Sequence, residues 1–387
     1  MSDPLSAETV VIGAGPGGLA AAAMLRRAGL ETLVVDGADA VGSAWRGHYE
    51  RLHLHTHRAL SGLPGLPIPR HYGPWVSRAD VVSYLESYAA HHRLDIRFAT
   101  TVERLYREGG RWRLRSPQGD LLARYVVVAT GHNHTPAIPD WPGIDGYRGE
   151  LIHASRYRNA TPYVGKDVLV VGSGNTGAEI ALDLLETGAA RVRVAIRTPP
   201  HIVGRQINGV PNPLVGILCR HLPPRIFDPI AARLRQLTFG DLAPYGLPLP
   251  PDGLYQRILR DDAIPLIDIG FVEQVKRGAI EVVAAVTGFD GPAVLLADGT
   301  RLDVDAVIAA TGYRRGLEAL VGHLGVLDAG GRPVVRGAVT DPRAPGLWFT
   351  GFTNPVSGMF RELGIDARRI ARAVAREQRS TGRKAAP

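Results

Sequence analysis

Three glycines near the start of the chain have the spacing of a dinucleotide phosphate site. Gly13, Gly15 and Gly18 follow the apolar run at residues 9–12 and precede an alanine-rich stretch that ends near Gly29. In such a turn the first glycine allows the bend, the second lets the backbone approach a pyrophosphate, and the third lets the next helix pack on the strand. The start of that helix attracts phosphate through its amide groups. The spacing therefore predicts a bound dinucleotide.

An acidic residue completes this first unit. The next apolar run, residues 32–35, ends at Asp36, where a carboxylate can hydrogen-bond a ribose. A strand, a glycine turn, a helix and an acidic strand end make a whole βαβ unit, which is much more specific than the glycine spacing alone.

A similar unit recurs in the middle of the chain. After the apolar run 167–171 comes a second glycine turn, formed by Gly172, Gly174, Asn175, Thr176 and Gly177. The following apolar run ends at Arg197 and Thr198 instead of an acid. An arginine there can bind a 2′-phosphate through a charge-assisted hydrogen bond, which predicts NADPH. The alternative is an ordinary surface arginine at a strand end.

Two nucleotide units in one chain predict one flavin and one nicotinamide, that is, FAD on the first unit and NADPH on the second. Other segments should contact these cofactors at strand ends, where small residues allow close approach. The candidates are Val102, Ala129, Thr130, Gly131, Thr311, Gly312, Tyr313 and Gly351.

These elements predict an α/β fold of two nested Rossmann-like dinucleotide-binding domains, of the three-layer ββα FAD/NAD(P)-binding type. We expect an FAD domain at residues 1–157 and 302–387 and an NADPH domain at 158–301. A proline-rich insertion at about 198–252 interrupts the second domain. Within it, residues 229–239 have the pattern of an amphipathic helix that could close over substrate, face a partner subunit or touch a membrane surface. A further helix is expected from about residue 359 to 375.

Composition limits the remaining classes. The chain has 387 residues, a net charge of +8 and one cysteine, Cys219. A single cysteine excludes an internal disulfide, a multi-thiolate zinc site and a CxxC redox pair. The basic residues are scattered, so nucleic-acid binding is not expected. We find no signal peptide and no apolar run of ~20 residues, which predicts a cytoplasmic protein without a stable membrane anchor.

Taken together, these motifs resemble the class B flavin-dependent monooxygenases, and most closely the flavin-containing monooxygenases and plant YUCCA-type enzymes. Residues 147–158 are similar to the family segment FxGxxxHxxxY with a basic residue after it, although Tyr147 replaces the phenylalanine. Residues 49–55, 63–69 and 84–89 resemble YUCCA-type segments.

The resemblance implies that NADPH reduces FAD and that the reduced flavin reacts with O2 to form a C4a-(hydro)peroxide, which oxygenates a small substrate. The reaction could be N- or S-oxygenation, Baeyer–Villiger insertion or oxidative decarboxylation of a 2-oxo acid. The alternatives are an NADPH-dependent flavin reductase or oxidase without oxygenated product, and a flavin-binding protein without turnover. The expected partners are the small substrate and O2, and a homodimer is left open.

The resemblance also implies roles for single residues. Trp45 falls at a family tryptophan near FAD, with core packing as the alternative. His55 falls at a flavin-contacting asparagine, which implies a hydrogen-bond donor on the flavin side, with a polar core histidine as the alternative. His153 belongs to a linker that helps to position NADPH. His53, His55 and His57 would share one face of a strand, but we expect no metal site there.

Overall fold

The structure is a computed structural model that describes residues 5–207, 210–212, 214, 217, 222–355 and 357–384. Cys219 and Pro213 lie outside the described residues. The helices are α1 Pro16–Arg27, α2 Ser43–Arg46, α3 Arg78–His91, α4 Asn175–Thr187, α5 Pro224–Phe239, α6 Leu254–Asp261, α7 Phe271–Lys276, α8 Glu318–Val321 and α9 Met359–Lys384.

The strands, in chain order, are β1 Leu5–Ile12, β2 Thr32–Val35, β3 Asp95–Arg97, β4 Arg104–Glu108, β5 Arg111–Arg115, β6 Leu121–Val128, β7 Thr135–Pro136, β8 Glu150–His153, β9 Asp167–Val171, β10 Arg191–Ala195, β11 Ile202–Gly204, β12 Gln206–Ile207, β13 Val210–Pro211, β14 Leu266–Asp268, β15 Glu281–Val283, β16 Val286–Asp290, β17 Ala293–Leu296, β18 Arg301–Asp303, β19 Ala306–Ala309, β20 Tyr313–Arg314 and β21 Leu347–Phe349.

The first sheet has the order β3-β2-β1-β6-β5-β4, and β21 also pairs with β6. Its central strands β2, β1, β6 and β21 are parallel. Their carboxyl-terminal residues, such as 10–12 of β1 and 126–128 of β6, are buried apolar runs because both faces of the sheet are covered there. Helices α1 and α9 pack together on one face. The carboxyl ends of the parallel strands therefore share one edge, which is where open α/β sheets bind ligands.

The second sheet has the order β15-β10-β9-β19-β8, with parallel pairing throughout. A small antiparallel sheet, β16-β17-β18, accompanies it. The fold is thus α/β with two dinucleotide-type sheets, as the sequence predicted. Strands β8 and β19 pair in this second sheet, whereas the predicted boundaries at 157/158 and 301/302 assign them to the FAD domain. The chain passes between the two sheets after β6 and again after β19. The short strands at these two connections, β7 and β20, pair antiparallel with each other.

The insertion contains the predicted helix, but α5 begins at Pro224, five residues before the predicted start. Proline is tolerated there because the first turn of a helix leaves its amide groups unpaired. The final helix is also confirmed and extends beyond the predicted end, to Lys384. One stripe of α5 exposes apolar side chains, namely Ile226, Ile230, Leu234 and Leu237. Within the described ranges, no helix combines the length and apolarity that crossing a membrane requires.

Candidate functional site

Of the three spaced glycines in the first turn, Gly15 is the one with open space beside it. A Cβ atom on Gly13 would lie 2.5 Å from the Ala129 carbonyl oxygen, and one on Gly18 would lie 1.8 Å from the Gly13 oxygen. A Cβ on Gly15 would meet no described atom within 4 Å, and its φ of −80° suits any residue. Gly13 and Gly18 are therefore required by packing. The space beside Gly15 fits the pyrophosphate of FAD.

Other predicted FAD contacts lie at the same sheet edge. Ala129, Thr130 and Gly131 directly follow β6, and Gly351 follows β21 shortly after its end. The Thr130 hydroxyl is buried without a hydrogen bond to any described residue, so it could serve a bound group. Val102 instead packs against the apolar cluster on the β5 side of the sheet.

The carboxylate of Asp36 already accepts hydrogen bonds from the backbone of the protein. The donors are the amides of Ala14, at 2.6 Å, and Ala38, at 2.8 Å. The side chain thus ties the glycine turn to the end of β2. Its second role, at the ribose, stays a prediction.

The second glycine turn repeats the geometry of the first. A Cβ on Gly172 would lie 2.3 Å from the Ala310 oxygen and one on Gly177 would lie 2.2 Å from the Gly172 oxygen, whereas one on Gly174 would meet nothing within 4 Å. The space beside Gly174 fits the pyrophosphate of NADPH.

The other predicted residues of this turn also hold the protein together. The Asn175 side chain donates to the Pro265 oxygen at 3.3 Å and accepts from the Ile267 amide at 2.6 Å, which joins the turn to β14. Thr176 lies beside Tyr49. The Asn175 side chain is therefore not wholly free for the cofactor.

Arg197 and Thr198 follow β10 at the carboxyl edge of the second sheet, and both are exposed. The Arg197 guanidinium makes no hydrogen bond or ion pair with the residues that the structure describes. Arg193, within β10, is different, because it is buried and pairs with Asp167 and Glu281. Thr198 accepts a hydrogen bond from Ser173 through its backbone oxygen, at 3.2 Å. Arg197 is thus a free cation close to the second turn.

The crossover at Thr311, Gly312 and Tyr313 is held by the predicted linker histidine. His153 is buried, and burial lowers its pKa, which keeps the ring neutral. Its Nδ1 accepts from the Ser155 amide, so Nε2 carries the hydrogen and donates to the Gly312 oxygen at 3.0 Å. Thr311 donates to the Ala137 oxygen, and the Tyr313 ring meets His153 edge-on. These contacts suit a structural role.

Residues 53–57, which we call the histidine loop, do not form the expected strand. His53 makes only an isolated bridge to Ser77. Its Nδ1 lies 2.7 Å from the Arg51 oxygen, while His57 accepts from the Ala59 amide. The side chains thus have separate partners instead of sharing one face.

His55 and Trp45 lie where the two units meet. His55 Nε2 lies 2.5 Å from Glu179 Oε1, on helix α4 of the second unit. Trp45 contacts apolar clusters of both units and meets Phe360, at the start of α9, edge-on at 5.8 Å. Trp45 therefore contributes to packing, whatever its role near FAD.

Four residues of this region were not predicted from the sequence: Tyr49, Trp75, Glu179 and Arg205. Glu179 accepts from the Tyr49 hydroxyl at 3.1 Å as well as contacting His55. Arg205 lies over the Trp75 ring and donates to the Leu54 oxygen. The one available signal was an acid, Glu179, within the mostly apolar run Ala178–Leu182 of α4.

Comparisons with known proteins agree with this geometry. A family model described as pyridine nucleotide-disulphide oxidoreductase matches residues 10–205. The rice (Oryza sativa subsp. japonica) indole-3-pyruvate monooxygenase YUCCA1 is 37% identical over 295 residues, which are 75% of this chain and 72% of that protein. The Arabidopsis thaliana probable indole-3-pyruvate monooxygenase YUCCA9 is 36% identical over 306 residues, which are 76% of this chain and 72% of that protein.

Solved structures show the same fold. A double mutant of the flavin monooxygenase from Stenotrophomonas maltophilia has a TM-score of 0.74 and 26% identity, and the match covers 97% of this chain and 99% of that one. OTEMO in complex with FAD and NADP has a TM-score of 0.75 at 18% identity, over 98% of this chain and 86% of that one.

Both glycine turns fit a pyrophosphate, and FAD and NADPH are the cofactors of the enzyme. The chain belongs to the class B flavin-dependent monooxygenases, which oxygenate a small substrate with FAD, NADPH and O2.

Proposed function

We propose that this monooxygenase acts on a 2-oxo acid with an aromatic side chain and releases its carboxyl group as carbon dioxide. The 2-oxo acid, O2, NADPH and a proton then give the carboxylic acid one carbon shorter, carbon dioxide, NADP+ and water. One oxygen atom enters the acid, the other leaves as water, and NADPH supplies the electrons. The flavin, when bound, supplies the redox chemistry, and the protein orients the substrate. The proposal is supported by the 37% identity with the rice indole-3-pyruvate monooxygenase.

The observation that carries the proposal is a cation beside the histidine loop. The Arg205 guanidinium carbon lies 4.2 Å from the centre of the Trp75 ring. Its Nη2 donates to the Leu54 backbone oxygen at 3.1 Å, and its Nε is buried without a hydrogen bond to any described residue. Arg205 therefore has donors to spare next to His55.

These donors suit a carboxylate. Burial lowers the pKa of Arg205, although the nearby charge of Glu179 opposes this effect. A guanidinium still remains charged at neutral pH and binds carboxylates in a planar fork. Trp75 and the His57 ring, 5.8 Å apart and edge-on, add aromatic surface beside the cation. The same cation disfavours a protonated amine as substrate.

The test is a comparison of substrates with the purified, FAD-loaded enzyme. Indole-3-pyruvate, phenylpyruvate, pyruvate, an amine and a sulfide are each incubated with NADPH in air, and NADPH consumption, carbon dioxide and the shortened acid are measured. We expect carbon dioxide and acid in equal amounts from the two aromatic 2-oxo acids. Oxygenation of the amine or sulfide alone would refute the proposed substrate class, and NADPH consumption without any product would support the oxidase alternative.

Arg205→Met tests the carboxylate contact. A charge-assisted hydrogen bond contributes about 1.5–3 kcal/mol, so KM for the 2-oxo acid should rise on the order of 10- to 100-fold. Arg104→Met is the matched control, because Arg104 also lies over an aromatic ring, Tyr106, but at a distant edge of the first sheet. An unchanged KM in Arg205→Met would show that another group binds the carboxylate.

We also propose the assignments of cofactors to units, with FAD at Gly13–Gly18 and NADPH at Gly172–Gly177. The open space beside Gly15 and Gly174 supports them. The proposed location is the cytoplasm. A homodimer is proposed through the exposed apolar stripe of α5, and sedimentation of the wild type and of Leu237→Glu tests it.

A further inference from the structure

Helix α4 carries a buried carboxylate, Glu179, between apolar residues in the chain. The Glu179 side chain is 3% exposed, and its neighbours Ala178, Ile180 and Ala181 are buried in the core of the second unit. A buried charge is strongly unfavourable unless it is paired and hydrogen-bonded. Glu179 has such partners, but both come from the first unit.

Each partner contacts a different oxygen of the Glu179 carboxylate. Tyr49 donates its hydroxyl hydrogen to Oε2, and His55 Nε2 lies next to Oε1. Burial, with the charge of Glu179 second, raises the pKa of Tyr49 well above its ordinary value, so the phenol remains a neutral donor. One oxygen is thereby taken by Tyr49, and the other is left for His55.

This arrangement determines which nitrogen of His55 carries hydrogen. A carboxylate can only accept, so Nε2 must donate to it. His55 Nδ1 makes no hydrogen bond with any residue that the structure describes, and the side chain is 21% exposed. The free edge of the ring is therefore the Nδ1 edge. In a neutral ring with hydrogen on Nε2 this edge accepts a hydrogen bond, so the geometry favours an acceptor at the position where the resemblance implied a donor.

We propose that Glu179 is a positioning residue for His55. Its carboxylate keeps the hydrogen of the ring on Nε2 and orients the ring so that Nδ1 faces the open side of the histidine loop. Glu179 lies about one turn from the start of α4, at Asn175, so the helix that begins at the proposed NADPH turn also orients this histidine. Carboxylates orient histidines in this way in other active sites. The proposal does not depend on which substrate the enzyme uses.

The first test is the nitrogen NMR spectrum of the His55 ring in the FAD-loaded protein, assigned with His55→Gln. We expect hydrogen on Nε2 in the wild type. A neutral ring with hydrogen on Nδ1 would overturn the proposal without any variant of Glu179.

The second test uses Glu179→Gln, which keeps the shape of the side chain. Its oxygen can still accept from Tyr49, and its amide group then donates to His55 Nε2, which moves the hydrogen to Nδ1. Tyr49→Phe is the matched control: it removes the other hydrogen bond to the same carboxylate and should leave the His55 spectrum unchanged. An unchanged spectrum in Glu179→Gln overturns the proposal.

The consequence for turnover is measured in the same variants. Glu179→Gln should leave the rate of flavin reduction by NADPH nearly unchanged and raise the fraction of NADPH that ends as hydrogen peroxide several-fold. His55→Ala should raise that fraction at least as much, and the double variant no further, because both changes act through one ring. Additive effects would show that Glu179 acts independently of His55.

Discussion

Arg197 allows a quantitative test of how the second unit selects its cofactor. Arg197→Ala removes an exposed guanidinium that makes no hydrogen bond or ion pair with the described residues, so the free energy of unfolding should hardly change. In the complex we expect a charge-assisted hydrogen bond to the 2′-phosphate, which contributes about 1.5–3 kcal/mol. At about 1.4 kcal/mol per factor of ten, NADPH should bind on the order of 10- to 100-fold more weakly. NADH lacks the phosphate and should bind as before.

The assay is the anaerobic rate of flavin reduction against the concentration of each cofactor, from which the two apparent Kd values follow. Arg191→Ala is the matched control, since Arg191 is an exposed arginine at the start of β10, and its Nε lies 3.9 Å from Glu281 Oε2. It should change neither Kd. Equal weakening of NADPH and NADH by Arg197→Ala would refute the reasoning, because it would indicate a structural role. Unchanged NADPH binding would place the 2′-phosphate elsewhere.

Other predictions concern the glycine turn and two buried titratable groups. The Gly15→Ala apoprotein should have nearly wild-type stability, but the variant should not retain FAD, which is measured as heat-extracted flavin. Gly18→Ala should unfold at a lower urea concentration, because its Cβ would lie 1.8 Å from a backbone oxygen. Burial lowers the pKa of His132 to about 4. The free energy of unfolding should therefore fall as the pH drops from 6.5 toward 4, by at most about 3 kcal/mol. In His132→Gln, the free energy of unfolding from urea titrations should depend less on pH in this range. Burial raises the pKa of Tyr84 to about 12, so its contribution is complete below pH 10 and is lost as pH rises through 12. Tyr84→Phe should lower the free energy of unfolding by about 1 kcal/mol at neutral pH, because its hydrogen bonds are lost. Above pH 10 the variant should lose less stability than the wild type. An equal loss in both proteins would contradict the raised pKa of Tyr84.

The amino-acid sequence by itself determined the two nucleotide-binding units. Each is encoded within about 30 residues as a strand, a glycine turn, a helix and a second strand, and each glycine has a local reason that spacing reveals. Gly15 and Gly174 both face open space, whereas the glycines on either side of them are held by backbone contacts. The sequence also indicated Arg197, because the second unit has an arginine at the position where the first unit has the acidic Asp36.

Local pattern was less informative where neighbouring units decide the conformation. The alternating histidines at 53, 55 and 57 have the spacing of a strand. Among the described residues, however, the histidine loop makes only an isolated bridge, and each ring contacts a different group. Strands β8 and β19 pair in the second sheet although both lie outside the predicted NADPH range of the chain, because a strand joins the sheet that it reaches in space.

The site between the units was decided by the tertiary structure alone. Glu179 lies 124 residues from His55 and 130 from Tyr49, and Arg205 lies 151 residues from Leu54. Such contacts depend on how the two folded units pack, and no periodicity or motif within either unit specifies that packing. A buried acid indicates that a partner must exist, because an unpaired buried carboxylate is too unfavourable. Only the packed fold identifies that partner as the histidine of the other unit.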